Sequence, residues 1–221
     1  MIRRATQGVL VILALATPAL AQDAKATAGF NVGWSFNDGV SGNALKAPDG
    51  NTYNRLDPKD AFDWNAALGF LVTHNAEVGF RFGMQKSTLQ AGGTNTLDLG
   101  DLTLSNYHGY FAYNFGESDA PMRPYFMFGL GMTHFSDVST TVGGGSHTLP
   151  GASRFSTIWG GGVKYYPNPK AGVQFGVAWV PTYIKSDATG WWCDPWWGCY
   201  LVGNAQYSSQ LELTGGVTFK F

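Results

Sequence analysis

Charge is scarce in this chain: Asp, Glu, Lys and Arg make up only 13% of 221 residues, and the formal net charge is -1. Nothing in so weak a field suggests a nucleic-acid partner, and none is expected. Histidine is limited to four residues. His74, His108 and His147 have neither metal-ligand spacing nor an evident carboxylate partner, so no metal and no other cofactor is expected. Long apolar runs are missing too. Beyond the N-terminus, no stretch approaches the roughly twenty apolar residues of a spanning helix. If the protein enters a membrane, it does so as strands.

The one apolar run, Val9 to Ala16, is short, follows Arg3 and Arg4, and precedes Ala19-Leu20-Ala21. That order predicts a signal peptide over residues 1–21, cleaved before Gln22, with 22–221 as a single exported domain. Without Arg3 and Arg4, 12 basic residues face 15 acidic ones. The two cysteines, Cys193 and Cys199, then reach an oxidising compartment, where a disulfide is expected.

What the chain does have is glycine, aromatics and alternation. From Tyr207 to Phe221 the residues Tyr207, Leu211, Leu213, Val217, Phe219 and Phe221 fall on one face, and Gln210, Glu212, Thr218 and Lys220 on the other. Its length suits a tilted strand crossing a bilayer, which needs about nine to eleven residues plus wetted ends, with the apolar face outward.

The same two-residue period recurs over Ala26 to Phe36, Phe62 to Val72, Glu77 to Lys86, about Tyr107 to Phe115, Arg123 to about Ser136, Arg154 to Tyr165 and Gly172 to Tyr183. In the fourth segment Leu102 and Leu104 sit on the opposite parity from Tyr107 and Phe111, which a bulge or an early start of the loop would explain. The gaps alternate. Asp38 to Lys59, Ser87 to Asp101, Asp137 to Ser153 and the stretch around Trp191 read as long loops, whereas His74-Asn75, Gly116 to Met122 and Pro167-Asn168-Pro169 are short turns. Eight strands with this rhythm predict an antiparallel up-and-down transmembrane β-barrel, short turns and both termini on the periplasmic side.

The chain resembles the small eight-stranded outer-membrane proteins of the OmpW, OmpX, OmpA and opacity-protein group. The resemblance rests on the signal peptide, Arg123-Pro124-Tyr125 before Phe128-Gly129-Leu130-Gly131, and the end Thr218-Phe219-Lys220-Phe221. It implies a Gram-negative outer-membrane location, contact with lipid and lipopolysaccharide, and recognition of Phe219 and Phe221 by the outer-membrane assembly machinery.

Parity turns Glu77, Arg81, Arg154, Lys164, Glu212 and Lys220 inward. Both signs occur, and the interior at this strand count is just wide enough for side chains to fill, so a paired charge network plugging the lumen is expected. A narrow gated path for small solutes is the alternative to a closed plug. His134-Phe135-Ser136 is similar to the His-x-Ser pair of outer-membrane lipid A deacylases. It offers a second function, histidine as base on an attacking serine, although Asp137 and the surrounding residues depart from that family. In and beside the Cys193–Cys199 segment the fourth long loop concentrates Trp191, Trp192, Trp196 and Trp197, either as a lid or belt at the interface or as a surface for an extracellular ligand. Asp38, Asp49, Asp57, Asp60, Asp98, Asp101, Asp137 and Asp187 fall on the loop side, as a solvated rim or as bridges through divalent ions to lipopolysaccharide. The expected function is a non-enzymatic envelope protein supporting envelope integrity, surface contact or limited small-molecule passage.

Overall fold

Residue alternation dictates the architecture. The computed structural model describes residues 26–46, 51–117, 120–142, 145–184, 193–194, 198–199 and 206–221. The expected signal peptide, Asp49, Asp187, Trp191, Trp192, Trp196 and Trp197 lie outside the described residues. Fourteen strands run in chain order: β1 (Ala26–Asp38), β2 (Val40–Lys46), β3 (Thr52–Pro58), β4 (Ala61–Leu71), β5 (Ala76–Gly93), β6 (Thr96–Asn114) and β7 (Met122–Phe135), followed by β8 (Val138–Val142), β9 (Gly145–Leu149), β10 (Ala152–Tyr165), β11 (Ala171–Ile184), β12 (Cys193–Asp194), β13 (Gly198–Cys199) and β14 (Gln206–Lys220).

Eight of them, β1, β4, β5, β6, β7, β10, β11 and β14, pair antiparallel with their neighbours into a closed barrel. Closure comes from β1 against β14, where twelve residue pairs run from Thr27↔Lys220 to Asp38↔Ser209 without a shift. The wall has two faces of opposite chemistry. Outward, Leu68 is 64% exposed and Phe175 66%, and Phe30, Trp34, Phe62, Phe126, Leu130 and Leu213 join them. Inward, Asn31, Ser35, Asn65, Gln85, Asn106 and Gln210 are buried. An apolar belt around a polar interior inverts a water-soluble fold, and only lipid makes it stable.

Two expectations need correction. Among the described residues the stretches 38–59, 87–101 and 137–153 are not irregular loops, and in the last of them β8 pairs with β9 as a hairpin. Strands β5 and β6 are 18 and 19 residues long, well beyond the roughly nine to eleven that a bilayer requires. Their excess projects past the long-loop rim as a β5–β6 ladder, and there β5 also pairs with β3 of the β2–β3 hairpin. The hidden apolar face of this extension, Leu89 and Ala91 with Val40 and Leu56, stabilises it as sheet. At Gly93 a Cβ would stand 2.1 Å from the carbonyl of Thr52, so only glycine lets β3 approach.

The second correction concerns Leu102 and Leu104. Register with β5 is unbroken from Ala76↔Tyr113 to Leu89↔Gly100, so no bulge separates these leucines from Tyr107. They face inward, each 1% exposed, and belong to an apolar plug with Leu89, Phe135 and Val138. The register shift comes higher, between Leu89 and Gln90 and beside Gly100, whose φ of 154° suits glycine. An apolar residue on the inner face breaks the sequence pattern only because the plug begins there.

A charge placed on the outer face tests this arrangement. Leu213→Arg near mid-strand is expected to cost about 2–4 kcal/mol in reversible urea unfolding from lipid vesicles. An unchanged midpoint would place Leu213 away from lipid.

Candidate functional site

The lumen is built in layers, each supplied by inward residues of several strands. Nearest the short turns, buried Arg123 on β7 donates to the His74 carbonyl at 3.0 Å and to Asn75 Oδ1 at 2.7 Å, tying two turns together. Above it Glu77 of β5 accepts from Lys164 Nζ of β10 at 3.0 Å, Tyr110 Oη at 2.6 Å and Thr27 Oγ1 at 3.0 Å. Tyr125 adds its ring face 5.1 Å from Lys164 Nζ. Its hydroxyl lies 2.5 Å from the position of a Cβ at Gly176, so that glycine makes room for the tyrosine.

The next layer spans the barrel. Arg81 of β5 contacts Glu212 of β14 at 2.5 Å, with side chains only 6% and 4% exposed. Asn106 Nδ2 donates to Gln210 Oε1 at 2.9 Å, and Gln210 donates onward to Gln85 at 2.9 Å. Thr133 Oγ1 lies 2.7 Å from Asn106 Oδ1 and 3.0 Å from Ser156 Oγ, which in turn meets His108 Nε2 at 2.9 Å. Above these polar layers sits the plug of Leu89, Leu102, Leu104, Phe135 and Val138.

Of the six charges expected in the lumen, the structure therefore joins four, as Glu77–Lys164 and Arg81–Glu212. Lys220 instead lies at the short-turn rim over the Tyr166 ring, 3.8 Å from its centroid. Arg154 stands half-buried toward the long-loop end, and its Nε has no partner among the described residues. The network also recruits residues outside that charged set: Asn31, Asn65, Gln85, Asn106, Tyr110 and Gln210. Their signal was parity alone, since each falls on the inward side of its strand.

His134 and Ser136 each hydrogen-bond to other partners. His134 Nδ1 lies 3.0 Å from Ser153 Oγ on the neighbouring strand. The Ser136 hydroxyl donates to the Asp137 carbonyl at 3.1 Å and accepts the amide of Thr103 at 2.9 Å. In the fourth loop the Cys193 and Cys199 backbones stand directly opposite each other. Around the long-loop rim, Arg55 is clamped by Asp38 and Asp57, and Lys59 reaches Asp98 at 2.9 Å. Asp60 and Asp137 accept backbone amides from Asn37 and Gly151. Hence the described acidic residues of the rim mostly have protein partners, and no group of three or more metal-ligating side chains occurs among the described residues.

Two outcomes follow from this geometry. Glu212→Leu leaves Arg81 charged and unpaired, with an expected loss of about 3–5 kcal/mol, and adding Arg81→Met should recover most of it. Chemical unfolding of the refolded barrel checks both, and a double variant no better than the single one would refute the pairing. At the rim, the Lys59 hydrogen bond, followed by that of Gln90, holds the Asp98 carboxyl below its ordinary 3.8. A lowered folded value means that the tether is intact above that range and is lost as pH falls through the lower value. A carboxyl titration by NMR should give a midpoint under 3.8 that Lys59→Gln raises; a midpoint unmoved by that change would contradict the tether.

A model described as the outer membrane protein beta-barrel domain matches residues 8–219. No curated protein matches the sequence. Among solved structures, the outer membrane protein OprG from Pseudomonas aeruginosa is 14% identical, with 90% of this chain and 96% of that one covered and a TM-score of 0.61. Neisserial surface protein A is 14% identical over 90% and 100% of the two chains, with a TM-score of 0.52. The outer membrane protein AlkL, solved in lipid bilayers, is 14% identical over 90% of each, with a TM-score of 0.51. Identity this low speaks to fold alone. The family match over almost the whole chain, together with the closed eight-stranded wall and its apolar belt, makes this chain a member of the outer-membrane β-barrel domain family, whose place is the Gram-negative outer membrane.

Proposed function

We propose that the protein is a non-enzymatic outer-membrane barrel with a closed lumen, supporting the envelope and offering its long-loop end as a contact surface. The observation that carries this reading is the cross-section: two buried ion pairs span the lumen, and an apolar plug lies above them. Ion pairs taken out of water cost several kcal/mol per ion unless geometry and hydrogen bonds compensate, as they do around Glu77. A solute of any size would have to break that network and displace the plug.

In this reading the short turns and both termini lie in the periplasm, and the β2–β3 hairpin and rim strands lie outside the cell among lipopolysaccharide. The cysteine backbones, opposed across a two-residue ladder, suit a disulfide, whose Cα atoms stand about 4.4–6.8 Å apart. Closing Cys193 to Cys199 would hold Trp196 and Trp197 in a small ring, with Trp191 and Trp192 beside it, for an extracellular or lipid contact. Phe219 and Phe221, on the outer face of the last strand at 42% and 73% exposure, are open to the assembly machinery. A deacylase requires its imidazole on the attacking serine, and the contact of His134 with Ser153 supports no such role for Ser136.

Planar-bilayer recording in KCl tests the closed lumen. Folded protein, verified by heat-modifiable gel migration, is expected to insert without unitary conductance steps. Reproducible steps from the wild-type barrel would show an open pore and end this reading.

A further inference from the structure

The lumen holds one carboxylate more than its two ion pairs use. Asp63 on β4 is 3% exposed and points inward. The charged groups that act on it are Glu212 on β14 and Arg81 on β5, and these two already pair with each other. Asp63 itself takes part in no ion pair among the described residues, and its Oδ1 has no hydrogen-bond partner in the protein. An uncompensated buried carboxylate is costly unless something positive neutralises it.

Its surroundings form a stripe. Ser35 Oγ, Asn37 Oδ1, Asp63 Oδ1, Asn65 Nδ2 and Arg81 Nη1 are buried atoms without protein partners. All five lie on β1, β4 and the adjoining part of β5. At the long-loop end the file begins at Asn37, whose amide bonds to exposed Asp60. It then descends past Ser35 and Asp63 to Asn65 and Arg81. Those last two help to line a cavity of ≈ 60 Å³ that continues past Glu77 to Thr27 and Thr218 near the short turns. At roughly 15 Å³ of such space per water, the cavity takes about four molecules. The orphan atoms include both donors and acceptors, the mixture that a water file satisfies and a bare cation does not. The apolar plug draws on β2, β3, β5, β6, β7, β8 and β11 but on neither β1 nor β4, which carry most of this stripe.

We propose that this stripe is a proton path through a barrel otherwise closed to solutes, with Asp63 as the group that takes up and releases the proton midway. A proton entering at Asn37 and Asp60 is carried by ordered water to the Asp63 carboxylate, which becomes a neutral acid. It leaves through water toward the cavity beside Glu77 and Lys164, restoring the carboxylate. The charged groups facing Asp63 are Arg81 and Glu212, and both persist in their pair throughout. His108 on β6 stays hydrogen-bonded to Ser156 on the far side of Arg81. The inference rests on the closed-lumen reading, because an open pore would pass protons without any such residue.

Vesicles of phosphatidylcholine loaded with pyranine, clamped with potassium and valinomycin, and containing the refolded full chain provide the test. After an external pH step, wild type is expected to equilibrate severalfold faster than protein-free vesicles. Asp63→Asn should return the rate to that of empty vesicles, and Asp63→Glu should retain flux. Ser35→Val, which obstructs the file without altering a charge, should also slow it and serves if Asp63→Asn does not fold. Wild-type rates equal to empty vesicles, or unchanged rates in folded Asp63→Asn or Ser35→Val, would overturn the proposal. Steps in KCl recording would instead remove the closed lumen itself, so the two failures are distinguishable.

Discussion

Backbone hydrogen bonding in lipid is the constraint on which this structure depends. The hydrocarbon core offers no water to an unpaired amide or carbonyl, each of which would cost several kcal/mol, so a sheet inside it must have no edge. The unbroken ladder between β1 and β14 meets that demand. Once the wall is closed, strict alternation becomes compulsory, because each strand meets lipid on one side and the lumen on the other. The aromatic and aliphatic belt and the polar interior are two consequences of one closure.

The same closure explains the chemistry inside. Eight strands leave an interior filled largely by side chains, so most charges there must neutralise each other at short range. Glu77 with Lys164 and Arg81 with Glu212 do so across strands distant in sequence, which fastens opposite walls together. Glycines such as Gly176 admit the larger tyrosines that complete this packing. Rim pairs such as Lys59–Asp98 are exposed and contribute less, holding the projecting strands in position.

Strand number, parity and the inward direction of Glu77, Arg81, Lys164 and Glu212 were legible because period-two alternation is local. Which partner each charge takes was not, since the partners are 87 and 131 residues apart and register around the barrel decides the match. Lys220 shares parity with Glu212, yet four repeats of the pleat further on it reaches the rim beside Tyr166. The extension of β5 and β6 was hidden because glycine and small polar residues read as loop. There the plug of Leu89, Leu102 and Leu104 overrides local propensity. The His134–Ser136 spacing is a local pattern as well, but a neighbouring strand supplies Ser153 and takes the imidazole.

The closed, charge-paired lumen is the central claim, and nitrogen–carbon distance measurement by solid-state NMR in lipid bilayers addresses it most directly. The account predicts close contacts from the Arg81 guanidinium to the Glu212 carboxylate and from the Lys164 ammonium to the Glu77 carboxylate in the same folded barrel. Water-exchanging, unpaired signals from Arg81 and Lys164 would contradict it.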